Sequence, residues 1–194
     1  MEPNKEKSYY NIGLEYLGEG KYKIALDYFT KAIELKPDYY SAYFMRGYIY
    51  SEQDNYELAI EDYTKALELN PDFVLVFHWR ALLYASQGNY EKAILDYTKS
   101  IELAIDDADA YFNRGVAYAN QFNYTKAIED FTNAITFNSD NVELYLQRGS
   151  ANKSQGNYEK AIKDFNKAAR LGSVDAIEQL EELGLKPSQI PANG

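Results

Sequence analysis

The side chains best suited to acid–base, metal or covalent chemistry are few and poorly grouped for it. The only imidazole, His78, stands beside the only indole, Trp79. One imidazole backed by carboxylates alone is no zinc site, and with no cysteine there is neither a thiolate ligand set nor a disulfide framework. Acids gather at Asp106, Asp107 and Asp109 and again at Glu178, Glu181 and Glu182. The first group lacks the ligand spacing of a calcium loop, so both groups are expected to be helix-capping acids. No nucleophile stands near a general base, and no glycine-rich loop could cradle a phosphate. The chain is therefore expected to have no catalytic residues, no metal and no cofactor.

The charged residues that do keep a spacing keep it four times. Arg46, Arg80, Arg114 and Arg148 are each followed sixteen residues later by an acid, at Asp62, Asp96, Asp130 and Asp164. One step earlier the positions hold Ile12 and Tyr28, so both charges disappear together. Paired loss predicts paired contact: a bidentate ion pair between two elements of one unit. An arginine ladder for an anionic ligand would not need matched acids.

These pairs belong to a longer rhythm. Stepping by 34 from Gly13 gives Gly47, Ala81, Gly115 and Gly149; four residues before each stands Tyr9, Tyr43, Phe77, Tyr111 or Tyr145. Twelve residues after each comes Ala25, Ala59, Ala93, Ala127 or Ala161. Within one period the apolar residues recur at three- and four-residue steps in two runs, which predicts two helices. Gly20-Lys21, Gly88-Asn89 and Gly156-Asn157 read as the tight turn between them. Asp54 and Phe122 occupy the glycine place in the other two turns and are expected to reshape them, since easy positive φ is lost. Lys36-Pro37-Asp38 and Asn70-Pro71-Asp72 end the second helix, with each Asp expected to cap the next. Helix pairs of this length cannot bury an apolar face alone, so they must stack.

With these residues in place, the chain resembles the tetratricopeptide repeat (TPR) family. Repeat two carries the pattern as Tyr43, Gly47, Tyr50, Ala59, Tyr63, Ala66 and Pro71, and repeat one as Tyr9, Gly13, Tyr16, Ala25, Phe29, Ala32 and Pro37. The resemblance implies an all-α, right-handed superhelical solenoid of antiparallel helix pairs. Its units are expected at 6–39, 40–73, 74–107, 108–141 and 142–173, after an extension at 1–5. A capping helix is expected at 174–184 and a disordered tail at 185–194. Asn152, in place of the tyrosines at 16, 50, 84 and 118, predicts a fifth repeat that is looser at its outer end.

In this family the first helices line a concave groove. Carrying its groove places over gives Tyr10, Leu14, Phe44, Tyr48, His78, Leu82, Phe112, Val116 and Leu146, with Trp79 at the edge. Such an apolar stripe predicts a partner surface. The family's carboxylate clamp for chaperone tails needs Lys, Asn and Arg, but those places hold Tyr10 and Leu14, then Met45, then Leu75 and Trp79. Shifting the frame by one or two repeats supplies no cation either, so a chaperone-tail partner is not expected.

Composition narrows the partners further. Lys+Arg 20 against Asp+Glu 30 gives a net charge of −10, which repels a phosphate backbone and favours an apolar or basic-amphipathic segment. No leader-like run opens the sequence and no stretch reaches the length of a membrane span, so a cytoplasmic protein without membrane insertion is expected. The sequence thus reads as an adaptor that holds a protein or peptide segment in its groove. The alternative is a structural scaffold that builds a homo-oligomer by repeat stacking.

Overall fold

The computed structural model describes residues 4–104 and 107–185. Of the tail expected to be disordered at 185–194, Leu185 is instead ordered, its N bonded to Leu180 O at 3.1 Å and its side chain packed on the cluster of Ala176 and Leu180. Residues 186–194, Asp106 and the first three residues lie outside the described residues. All regular structure among the described residues is α-helical. The chain divides into two units, Met1–Gln87 and Gly88–Gly194. The first holds α1 (Lys5–Gly18), α2 (Tyr22–Leu35), α3 (Tyr40–Glu52), α4 (Tyr56–Leu69) and α5 (Val74–Ser86). The second holds α6 (Tyr90–Leu103), α7 (Ala108–Asn120), α8 (Tyr124–Phe137), α9 (Val142–Ser154), α10 (Tyr158–Arg170) and α11 (Val174–Glu182).

Four helix pairs each close on one ring. Phe29, Tyr63, Phe131 and Phe165 are wholly buried on second helices, and each faces the anchor glycine of its own first helix. A Cβ on Gly13 would stand 2.7 Å from the Phe29 ring, on Gly47 2.9 Å from Tyr63, on Gly115 2.8 Å from Phe131 and on Gly149 2.7 Å from Phe165. The glycines are therefore required by close approach of two helices, and the buried alanines at 25, 59, 127 and 161 complete the same crossing. Tyr63 carries a hydroxyl where three repeats have phenylalanine. It has no hydrogen-bond partner among the described residues, although Ser51 lies close enough to moderate its titration. Burial pushes it up to about 12.

The turns correct one expectation. Asp54 and Phe122 do not reshape theirs: they take φ of 59° and 60°, beside 71° at Gly20 and 78° at Gly156. The closing bonds are the same as well, Asn55 N to Tyr50 O and Asn123 N to Tyr118 O, both 2.9 Å, as for Lys21 N to Tyr16 O. Helix packing on either side fixes the turn, and the residue accepts the cost of a Cβ at positive φ. Asp54 is partly compensated because Tyr56 donates its hydroxyl to Asp54 Oδ1 at 2.7 Å. Phe122 is 79% exposed and gains only an edge contact with Tyr124. Left-handed backbone costs a residue with a Cβ roughly 1–2 kcal/mol, and glycine gives part of that back in the unfolded chain. Phe122→Gly should raise stability by about 1 kcal/mol in urea denaturation; a loss of stability would contradict this reading.

Two further expectations shift. Asp38 and Asp72 do not cap the following helices; Tyr39 and Phe73 hold the N-cap positions of α3 and α5, with no side-chain cap. Asp107 does cap α7, accepting from Ala110 N at 2.9 Å. Asn152 does not leave its surroundings open. It is 3% exposed, and its Nδ2 donates to Arg148 O at 3.1 Å and to Asp164 Oδ2 at 3.4 Å.

Candidate functional site

The repeating charge is spent inside the fold. On α3, Arg46 Nε donates to Asp62 Oδ2 and Nη2 to Oδ1, both at 2.8 Å, which joins α3 to α4 in a bidentate pair. Arg114 and Asp130 make the same pair at 2.8 and 2.8 Å, and Arg148 and Asp164 at 2.9 and 2.7 Å. The remaining nitrogen reaches backwards. Arg46 Nη1 donates to Thr30 Oγ1 at 3.2 Å, Arg114 to Thr98 at 3.1 Å and Arg148 to Thr132 at 3.1 Å. Arg80 gives the same donor to Thr64 at 2.9 Å, and Asp96 is buried like the other three acids. Arg46, Arg114 and Arg148 thus each tie their own second helix to that of the preceding repeat. The threonines at 30, 64, 98 and 132 recur at the same 34-residue period, a regularity that by itself does not name their partner.

The energetics of the pairs are divided between their members. Hydrogen bonding to the acid raises Arg46 and Arg114, whereas burial raises Asp62 and Asp130 from their ordinary value although the arginines pull them down. Desolvation consumes much of the attraction, as expected for charges removed from water. These arginines are clamps and do not form an anion site. In repeat one Tyr28 fills the vacated place between rings, 5.7 Å from Tyr16 and 5.9 Å from Tyr9, with Lys31 5.0 Å above it.

The expected groove residues separate by place. In the first unit Phe44 is core rather than groove: it is 6% exposed, with its ring 5.8 Å from Tyr63 and 5.1 Å from Phe73. Tyr10, at the same place, packs 5.6 Å from Phe29 and 5.1 Å from Tyr39, and burial raises its hydroxyl pKa. The fifth place lies over the second-helix ring, and an aromatic there extends the core. The ninth place is different. Leu14 is 36% exposed, and Tyr48 and Leu82 are half-buried. Trp79 stands edge-on to Tyr48 at 5.5 Å, a packed indole that still shows a surface, and its neighbour His78 is half-buried. Leu75, at the second place of α5, is 56% exposed.

In the second unit Phe112 packs 5.9 Å from Phe131, and Val116 lies half-buried on the same cluster. Leu146 joins a cluster with Ala176 and Leu180, so α11 covers it. Lys153, at a groove place of α9, donates to Gln179 Oε1 at 2.9 Å and Glu182 Oε2 at 2.7 Å of α11. The face next to α9 is thus taken by the chain's own final helix.

Among the described residues no group of His, Asp or Glu could hold a metal ion, and no helix is long and apolar enough to cross a membrane.

Helix pairs on a 34-residue step, each closed by small residues against one ring, define a repeat scaffold. The chain belongs to the tetratricopeptide repeat family: its model matches residues 6–39, 40–73 and 108–141, with further TPR models at 81–121, 62–95 and 142–171. The coarse function follows from that membership: the chain is a protein-interaction scaffold, from a family that is generally non-catalytic. Among solved structures it is similar to the MamA protein, at 22% identity over 94% of this chain and 97% of that one, with a TM-score of 0.81. A MamA fragment from Desulfovibrio magneticus RS-1 gives 22% identity, 88% and 97% coverage and a TM-score of 0.81. YrrB, described as a TPR protein with an unusual peptide-binding site, gives 20% identity, 90% coverage of each chain and a TM-score of 0.82. No curated protein sequence matches the chain.

Proposed function

We propose that this chain is a cytoplasmic adaptor whose first-helix face in the first unit, made by α1, α3 and α5, holds an apolar or basic-amphipathic segment of a partner protein. The observation that carries the reading is the row of ninth places. Leu14, Tyr48 and Leu82 sit at one repeat position on three successive first helices, and all keep exposed surface although the helix-pair core is already closed beneath them. Exposed Leu75 and the open part of Trp79 widen the row. Apolar side chains repeated on one face suit a partner helix presenting its own apolar stripe. The net charge of −10 favours basic flanks on that helix. A neighbour with the same fold, YrrB, is described as having a peptide-binding site, which agrees with this use of the scaffold.

The test begins with peptides selected by display from a library of amphipathic helices. Leu14→Asp with Leu82→Asp should weaken the selected peptides at least tenfold, about 1.4 kcal/mol. Melting temperatures are taken on the same samples, and Leu14→Asp alone serves if the double variant melts early. Unchanged affinity in a variant that melts normally would contradict the reading.

A further inference from the structure

We propose that the outer face of α10 is a second binding surface, for a short carboxylate-rich segment of a partner protein. Lys160, Lys163, Lys167 and Arg170 lie on this helix at steps of three, four and three residues. At about 100° per residue they fall within a stripe roughly 80° wide. Like charges at these spacings repel, and the fold offers little in return. Lys160, Lys163 and Arg170 make no ion pair among the described residues, while Lys167 stands 5.7 Å over the Tyr145 ring. Asp164 is already occupied by Arg148, so Glu159 is the one other acid on the helix.

The places of Lys160 and Lys167 carry lysine in other repeats too, at Lys92 and Lys126 and at Lys31, Lys65 and Lys99, so the local reversal lies at the other two places. The positions equivalent to Lys163 hold Asp27, Glu61, Leu95 and Glu129, and those equivalent to Arg170 hold Glu34, Glu68, Glu102 and Thr136. In α4 and α6 the same three-residue step closes an ion pair, Lys65 with Glu68 at 2.9 Å and Lys99 with Glu102 at 2.6 Å. In α10 that acid has become Arg170. The helix macrodipole accounts for cations in the last turn, but not for Lys160 and Lys163 in the first half. The stripe also borders clefts. One of about 520 Å³ is lined by Lys163, Lys167 and Arg170 with the acids Glu159 and Asp164 among others, and one of about 310 Å³ by Lys160 and Lys163 with Asp164 among others. Asp164 is neutralised by Arg148, which leaves Glu159 as the one unpaired acid lining either cleft.

A chain of net charge −10 that concentrates unpaired cations on one helix presents a local attraction against a repelling background. That background disfavours a second copy of this chain and a nucleic acid, whose charge extends far beyond the stripe. A short acidic peptide meets the stripe alone. Ten residues of helix span about 15 Å, which an extended peptide of five or six residues covers.

The probe is fluorescein-labelled hexaglutamate, titrated with the full chain by fluorescence anisotropy at low salt, with hexaglutamine and a twelve-nucleotide single strand in parallel. The expected result is saturable binding of hexaglutamate alone, weakening as sodium chloride rises. Lys163→Glu with Arg170→Glu should weaken it at least tenfold, and Lys163→Gln with Arg170→Gln should do so partially, while Lys65→Gln changes nothing. Both α10 variants are checked by thermal melting, and the neutral pair decides if the charge-reversed pair unfolds. Absence of hexaglutamate binding, equal binding by the α10 variants, or capture of the oligonucleotide in preference to the peptide would overturn the proposal. So would a wild-type self-association, seen by sedimentation, that the α10 variants abolish without any peptide binding.

Discussion

Asp130→Ala is expected to cost about 3–5 kcal/mol of unfolding free energy, the usual penalty for removing one member of a buried pair. Asp130 is 3% exposed and receives two nitrogens of Arg114. Without it the guanidinium keeps only Thr98 and the face of Tyr111, 5.6 Å away. The larger part of the loss is the stranded charge, since desolvation has already offset much of the pair's attraction. Replacing both members, Arg114→Met with Asp130→Leu, should therefore recover most of the stability, whereas Arg114→Ala alone should not. Urea denaturation of the single and double variants measures both. A cost below about 1 kcal/mol for Asp130→Ala would mean that the pair is hydrated and incidental.

The second large effect is steric. Gly115→Val places a branched side chain where a single Cβ already stands 2.8 Å from the Phe131 ring. Overpacking of this kind typically costs about 1–3 kcal/mol, and the upper end is expected because the ring is wholly buried with no room to withdraw. Gly115→Ala should cost less, since Ala81 occupies the same place in repeat three. Phe131→Leu in the same chain should relieve part of the valine penalty, so the two changes should fall short of additivity by about 0.5–3 kcal/mol. Strict additivity would mean that the glycine is not kept by this ring.

What could be read beforehand divides along physical lines. The helix pairs follow from periodicity, and the sixteen-residue step from Arg to Asp follows because both charges vanish together at Ile12 and Tyr28. The threonine reached by each arginine repeats just as strictly, but a neutral hydroxyl gives no complementary sign to look for. Phe44 misled because a place on a helix wheel does not show what lies above it: the ring continues the core between Tyr63 and Phe73. Asp54 and Phe122 misled in the other direction, because residue preference at a turn is weaker than the packing of the two helices it joins.

Methyl NMR tests directly whether the ninth-place row of the first unit holds the partner segment. With leucine and isoleucine methyls labelled, a selected amphipathic peptide should shift the signals of Leu14, Leu75 and Leu82 on the first helices. It should leave Ile24 and Leu58 unmoved, although these second-helix residues are 39% and 44% exposed. Shifts confined to Ile24 and Leu58, with Leu14 and Leu82 unchanged at saturation, would contradict the account.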